Sequence, residues 1–195
     1  MRELHREPNG GSRCRKGITD DAVARAIAGD QAAYGELVTR YTALAHRTAY
    51  LLGAGADAGD VVQEAFVKAY RKLHTFKPEA DFKPWLLKIV ANETKNLHRG
   101  RRRRNLMELK LATVTETVDH DDPGTLVDDS RAQLLKAVQS LPEHDRQVVT
   151  CRYLLELSEA ETAQTLNLAK GTVKSRLSRA LAKLRPMLEE VAHDR

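Results

Sequence analysis

Residues 113–129, TVTETVDHDDPGTLVDD, read as a linker or loosely ordered loop. The stretch has no apolar periodicity and is interrupted by Pro123-Gly124. From Glu116 to Asp129 it carries six acids and no Lys or Arg. It divides the 195 residues into two blocks, each long enough for one small core. The expected organisation is a flexible leader (1–19), a helical block (20–104), an acidic linker (105–129) and a second helical block (130–195).

Both blocks are patterned for helices, and no strand-like alternation of useful length interrupts them, so the expected fold is all-α. Thr19-Asp20-Asp21 supplies cap residues for a first helix. Asp30 caps a second that runs through Tyr34, Leu37, Val38, Tyr41, Leu44 and Ala45. Gly53, Gly55 and Gly59 punctuate a break before a third. No window reaches about 18 consecutive apolar residues, which argues against a membrane span. The first 17 residues lack the apolar run of a secretory signal. Cys14 and Cys151 have no metal-type spacing, so no disulfide framework or zinc site is indicated. A cytoplasmic protein is expected.

The formal charge of +5 says little as a sum, because charge reports partners only through its distribution. Arg99 to Arg104 reads RGRRRR, and Lys170 to Arg185 holds six basic residues and no acid. Three helix faces follow. On a helix from about Asp57 to Leu73, the stripe Val62, Ala65, Phe66, Ala69 and Leu73 is apolar. Asp60 and Glu64 lie opposite it, with Gln63 beside them and Asp57 at the start. This acidic face is either solvated surface with acids near a helix N-terminus or a dock for a basic protein partner. It is not a phosphate surface.

The second face belongs to a helix from about Phe82 to Arg99, with Leu86, Ile89, Val90 and Leu97 inward. Lys88, Asn92, Lys95 and Arg99 form the opposite stripe and lead into Arg101–Arg104, a pattern that can follow a nucleic-acid backbone. Phe76, Phe82 and Trp85 lie just upstream beside Lys77 and Lys83. They either fill the core or stack on unpaired bases. In the third face a short helix, Glu159 to Leu166, is followed by a turn at Asn167-Leu168 and a longer helix from Lys170. The longer helix has the apolar stripe Val173, Leu177, Ala180, Leu181 and Leu184. Thr172, Ser175, Ser178 and Arg179 lie opposite, flanked by Lys174 and Arg176. This is the order of a helix-turn-helix, whose second helix reads the major groove.

Taken together, the sequence resembles bacterial RNA polymerase sigma factors of the extracytoplasmic-function type. Asp57-Ala-Gly-Asp-Val-Val-Gln-Glu-Ala-Phe66 resembles the family's core-binding segment. Phe82-Lys-Pro-Trp-Leu-Leu-Lys-Ile-Val-Ala-Asn92 resembles the segment that melts and reads the −10 element. Leu157-Ser158 through Gly171-Thr-Val-Lys-Ser-Arg-Leu177 resembles the −35 reader, and Leu141-Pro142-Glu143 the entrance to its domain. The resemblance implies that Asp57, Asp60, Gln63 and Glu64 dock on the clamp helices of the largest polymerase subunit, and that the second domain meets the flap of the second-largest. It implies −10 contacts from Phe76, Phe82, Lys88, Asn92, Lys95, Asn96, Arg99, Arg101 and Arg102, with the loop from His74 to Lys83 holding an unstacked base. It implies −35 contacts from Lys170, Thr172, Lys174, Ser175, Arg176 and Arg179. An anti-sigma factor is a further expected partner.

The chain departs from the family pattern at four places. Gly59 replaces a customary Glu, Glu159 a customary aromatic, Thr162 a customary Ile, and Lys95 a residue that is often apolar. No enzyme signature competes: the seven histidines are scattered, and no phosphate loop or nucleophile elbow occurs. His120 among Asp119, Asp121 and Asp122 reads as solvated linker, and Cys151 among Val148, Val149 and Leu154 as core. No cofactor or metal is expected.

Overall fold

The computed structural model describes residues 10–77, 79–109, 137–138 and 140–193. Every regular element among them is helical. The first block holds α1 (Gly10–Ile27), α2 (Gln31–Ala49), α3 (Ala58–Lys72) and α4 (Phe82–Leu109). The second holds α5 (Glu143–Val149), α6 (Glu159–Leu166) and α7 (Lys170–His193).

Local chemistry sets the boundaries. At Gly29 (φ 99°) the α1 chain reverses hand, and the Gly29 and Asp30 N–H groups donate to the Ala26 and Arg25 carbonyls, the paired bonds of a Schellman ending. Asp30 then caps α2, its carboxylate accepting from the Ala33 N–H at 3.0 Å. The end of α2 widens into a π-helical turn over Tyr50–Ala54 that contains Gly53 at φ 99°. Glycine is required there twice over. Only it adopts that φ without strain, and a Cβ would lie 3.2 Å from the His98 ring. Nε2 of His98 in turn sits 3.3 Å from the Leu52 carbonyl, fastening this turn to α4.

The first core joins Ala22, Val23 and Ala26 of α1, Ala33, Leu37, Ala45 and Ala49 of α2, the α3 stripe, and Leu86 and Val90 of α4. Alanines at the helix crossings let the backbones approach closely, and Phe66, Phe76 and Phe82 fill the remaining space. The second core is built in two parts. Val138, Leu141, Val149, Ala180 and Leu184 form one, and Val148, Ala163 and Val173 form the other under the α6–α7 turn.

The structure alters several sequence expectations. α1 begins at Gly10, so the expected leader is helical for its second half, and Thr19 is a buried residue inside α1 rather than a cap. Its hydroxyl accepts from Arg40 at 2.7 Å. α4 runs on to Leu109, past the expected domain end at 104. Arginine is a good helix former and lets the basic run continue the helix. Gly59 belongs to the first turn of α3, not to the break before it. Leu181 is exposed, not part of the inward α7 stripe. The acidic stretch from Glu116 to Asp129, with His120, lies outside the described residues, as does Cys14's side chain.

Candidate nucleic-acid interface

The acidic face is formed as the sequence implied. Ala58, Val61, Val62, Ala65, Phe66 and Ala69 turn inward, while Asp60, Gln63 and Glu64 are exposed and Asp57 is half-exposed at the start of α3. Asp57 accepts from Arg101 of α4 at 2.5 Å, so one expected polymerase contact and one expected DNA contact are paired with each other. Glu64 lies 3.2 Å from Lys68 on the next turn. Asp60 makes no ion pair among the described residues.

Lys68 links this face to the next. Its ammonium bonds Glu93 of α4 at 2.5 Å, and that bond, helped by Glu64, raises the Lys68 pKa against the opposing effect of burial. Glu93 is only 12% exposed. Between α3 and α4 lies an open groove of 340 Å³ lined by Lys68, Lys72, Ile89, Asn92, Glu93, Lys95, Asn96 and Arg99. Of the expected −10 contacts it gathers Asn92, Lys95, Asn96 and Arg99. Lys68, Lys72 and Glu93 were not expected. The sequence signal for the lysines was their i, i+4 spacing after Glu64, which carries Lys68 and Lys72 round α3 toward α4. One part-buried acid held by a lysine leaves the rest of the groove basic and amide-lined, a surface type that attracts phosphate and can pair with base edges.

Five expected −10 residues lie outside this groove, Arg101 on Asp57 as described above and four others. Phe76 and Phe82 are 7% and 3% exposed and pack ring to ring at 5.8 Å. They are core residues without a free face for a base, a correction that follows from the loop before α4 folding inward. Trp85 is half-buried against both, 5.3 Å from Phe76 and 5.5 Å from Phe82, so the two phenylalanines support it. Lys88 stays on the Asn92 stripe, but its ammonium donates to Oδ1 of Asn167 in the second block at 2.9 Å. Arg102 is exposed.

The helix-turn-helix forms where it was read. Ser158 caps α6 in a capping box: its hydroxyl accepts from the Glu161 N–H at 3.2 Å, and its own N–H donates to the Glu161 carboxylate at 2.8 Å. Asn167 ends α6 in the left-handed region (φ 54°, ψ 50°), which Asn tolerates better than most residues. α7 then starts at Lys170. Lys170, Lys174, Ser175 and Arg179 are exposed, Thr172 and Arg176 half-buried, with Val173 and Ala180 anchoring the opposite side. This face of α7 is therefore cationic and hydroxyl-bearing. Burial pushes the Cys151 thiol pKa up to about 12, which marks it as core. No cluster of potential metal ligands occurs among the described residues.

Comparison with known proteins agrees with this geometry. The family model described as Sigma-70 region 2 matches residues 37–104, and Sigma-70, region 4 matches residues 131–184. The ECF RNA polymerase sigma-E factor of Escherichia coli (strain K12) is 34% identical over 176 residues, which covers 84% of this chain and 91% of that protein. The chain belongs to the extracytoplasmic-function sigma factors. CnrH of Cupriavidus metallidurans is likewise 34% identical, over 85% of this chain and 92% of its own. The structure of CnrH in complex with the cytosolic domain of CnrY superposes with a TM-score of 0.65 at 28% identity, covering 89% of this chain and 98% of that one. As a sigma factor, the protein acts in transcription initiation, and family membership makes it a non-catalytic subunit type. No described helix is long and apolar enough to cross a membrane.

Proposed function

We propose that the protein binds core RNA polymerase and selects promoters by reading a −35 element as duplex and capturing unstacked −10 bases. The observation that carries this reading is the division of labour between surfaces. An acidic α3 face and a basic, amide-lined α3–α4 groove share one small domain, and a cationic recognition helix occupies the other. Duplex binding alone has no use for the exposed acids of α3.

In this reading Asp57, Asp60, Gln63 and Glu64 engage the clamp helices of the largest subunit, and the second domain meets the flap of the second-largest. Lys88, Asn92, Lys95, Asn96, Arg99, Arg101 and Arg102 hold the −10 strand, with Trp85 and the loop from His74 to Lys83 beside it. Lys170, Thr172, Lys174, Ser175, Arg176 and Arg179 contact the −35 duplex, the backbone cations supplying salt-dependent affinity and the N-terminal residues of α7 the base edges. The protein works by differential binding and takes no cofactor. An anti-sigma factor is a further proposed partner, in keeping with the capture of CnrH by another protein, the cytosolic domain of CnrY, and a cytoplasmic location follows from the function. Co-purification with core polymerase tests the acidic face. Asp60→Lys with Glu64→Lys abolishes association while leaving duplex DNA binding by the second domain intact; unchanged association refutes the assignment.

A further inference from the structure

Glu93 is the one acid among the eight residues that line the α3–α4 groove. A carboxylate there opposes the attraction of phosphate by Lys72, Lys95 and Arg99, so affinity does not account for it. Its two oxygens have separate partners. Oε2 accepts from the Lys68 ammonium at 2.5 Å, and Lys68 is itself held by Glu64 at 3.2 Å. Oε1 accepts from Nδ2 of Asn96, nearly one turn further along α4, at 3.4 Å. Glu93 is mostly buried and Asn96 is exposed, so the carboxylate lies behind an amide that is open to the groove.

An asparagine amide carries a donor and an acceptor of nearly the same shape, and a half-turn about χ2 exchanges them. Beside Glu93 the two orientations differ. A carboxylate only accepts, so the NH2 group turns toward it in a charge-assisted bond. The half-turned amide would set Oδ1 against a carboxylate oxygen, two acceptors with no proton between them. Lys68 fixes the carboxylate from the other side, and its charge offsets the repulsion of phosphate. On the major-groove edge, adenine and cytosine carry an amino donor where guanine and thymine carry a keto acceptor. An acceptor held outward pairs with the amino bases and meets the keto bases oxygen to oxygen.

We propose that Glu93 is a positioning residue for −10 specificity: it fixes the Asn96 amide with Oδ1 outward, so that the groove selects a base with an exocyclic amino group, adenine or cytosine, at the position Asn96 reaches. This role rests on the promoter-reading function proposed above and deepens it. Glu93 acts through Asn96, and Lys68 acts through Glu93.

The test is run-off transcription with core polymerase and the full chain, on a promoter from which the protein starts, with the −10 element randomised and the transcribed sequences counted. The wild type shows one position at which adenine and cytosine exceed guanine and thymine about tenfold, the size of discrimination that one base-edge contact gives. Glu93→Gln keeps the shape but offers the Asn96 amide a donor as well as an acceptor, so the excess at that position falls to about twofold while preferences elsewhere in the element stay. Asn96→Ala, at an exposed helical site that alanine suits, removes the same excess, and adding Glu93→Gln to it changes nothing further. Should Glu93→Gln fail to fold, Lys68→Ala with Glu93→Ala, which leaves no unpaired charge, takes its place with the same relaxation expected. A merely structural Glu93 would lower initiation from every sequence alike. No amino-over-keto position in the wild type, an excess that survives these substitutions, or a loss in the folded Glu93 variant that is uniform across sequences overturns the proposal and leaves promoter reading standing. Absence of any protein-dependent start removes the promoter-reading function and this role with it.

Discussion

Thr162 lies inside α6, completely buried, and its hydroxyl has no hydrogen-bond partner among the described residues. In the family pattern that the sequence resembles an Ile is customary at this place, so the hydroxyl stands where an apolar group is expected. A buried polar group without a partner costs about 1–3 kcal/mol, whereas valine has nearly the same shape and a similar helix propensity. Thr162→Val therefore stabilises the helix-turn-helix domain by about 1 kcal/mol, the low end of that range, since neighbouring side chains are already fitted around the oxygen. For a domain of this size the gain raises the midpoint by roughly 4–8 °C. Thr162→Ser keeps the hydroxyl and deletes a buried methyl, and it costs about 1 kcal/mol. Hydrogen exchange at the α6 amides reads both values as local opening free energies. A loss of more than about 0.5 kcal/mol in Thr162→Val would refute the reasoning, because it would mean that the hydroxyl is satisfied.

Other outcomes follow from the same domain. Ser158→Ala removes half of the capping box and destabilises α6 by about 1 kcal/mol, measurable by urea unfolding. Burial pushes the Glu161 carboxyl up, but hydrogen bonds from Lys83 and from the Ser158 N–H outweigh it and leave the pKa lowered. The stability this group contributes is therefore complete above the unfolded value of about 4.3 and lost as pH falls through the folded one. Glu161→Gln flattens that part of the acid-side pH dependence. Cys151, with its thiol pKa raised to about 12 by burial, stays unreactive toward a thiol reagent at pH 8 in the folded protein and reacts on denaturation.

How much of this was legible in the sequence varies by residue. The α3 stripe and the α6–turn–α7 boundaries were readable because each is written twice, once in apolar spacing and once in cap chemistry: Ser158 with Glu161, Asn167 at the turn. The start of α1 was hidden because its first turns carry neither an apolar stripe nor a cap. Arg101–Arg104 signalled charge but not that the helix continues through it. Phe76 and Phe82 illustrate a different limit, since aromatics in a loop or at a helix start show their size but not the direction they face. The Lys68–Glu93 pair is tertiary, formed between α3 and α4 at 25 residues' separation.

Promoter-dependent initiation in a reconstituted system tests the central claim most directly. Core polymerase, this protein and genomic promoter fragments are combined in run-off transcription, and the 5′ ends are mapped. The account predicts discrete starts that require the protein and that vanish with Asp60→Lys and Glu64→Lys. Starts that are the same with and without the protein would contradict it.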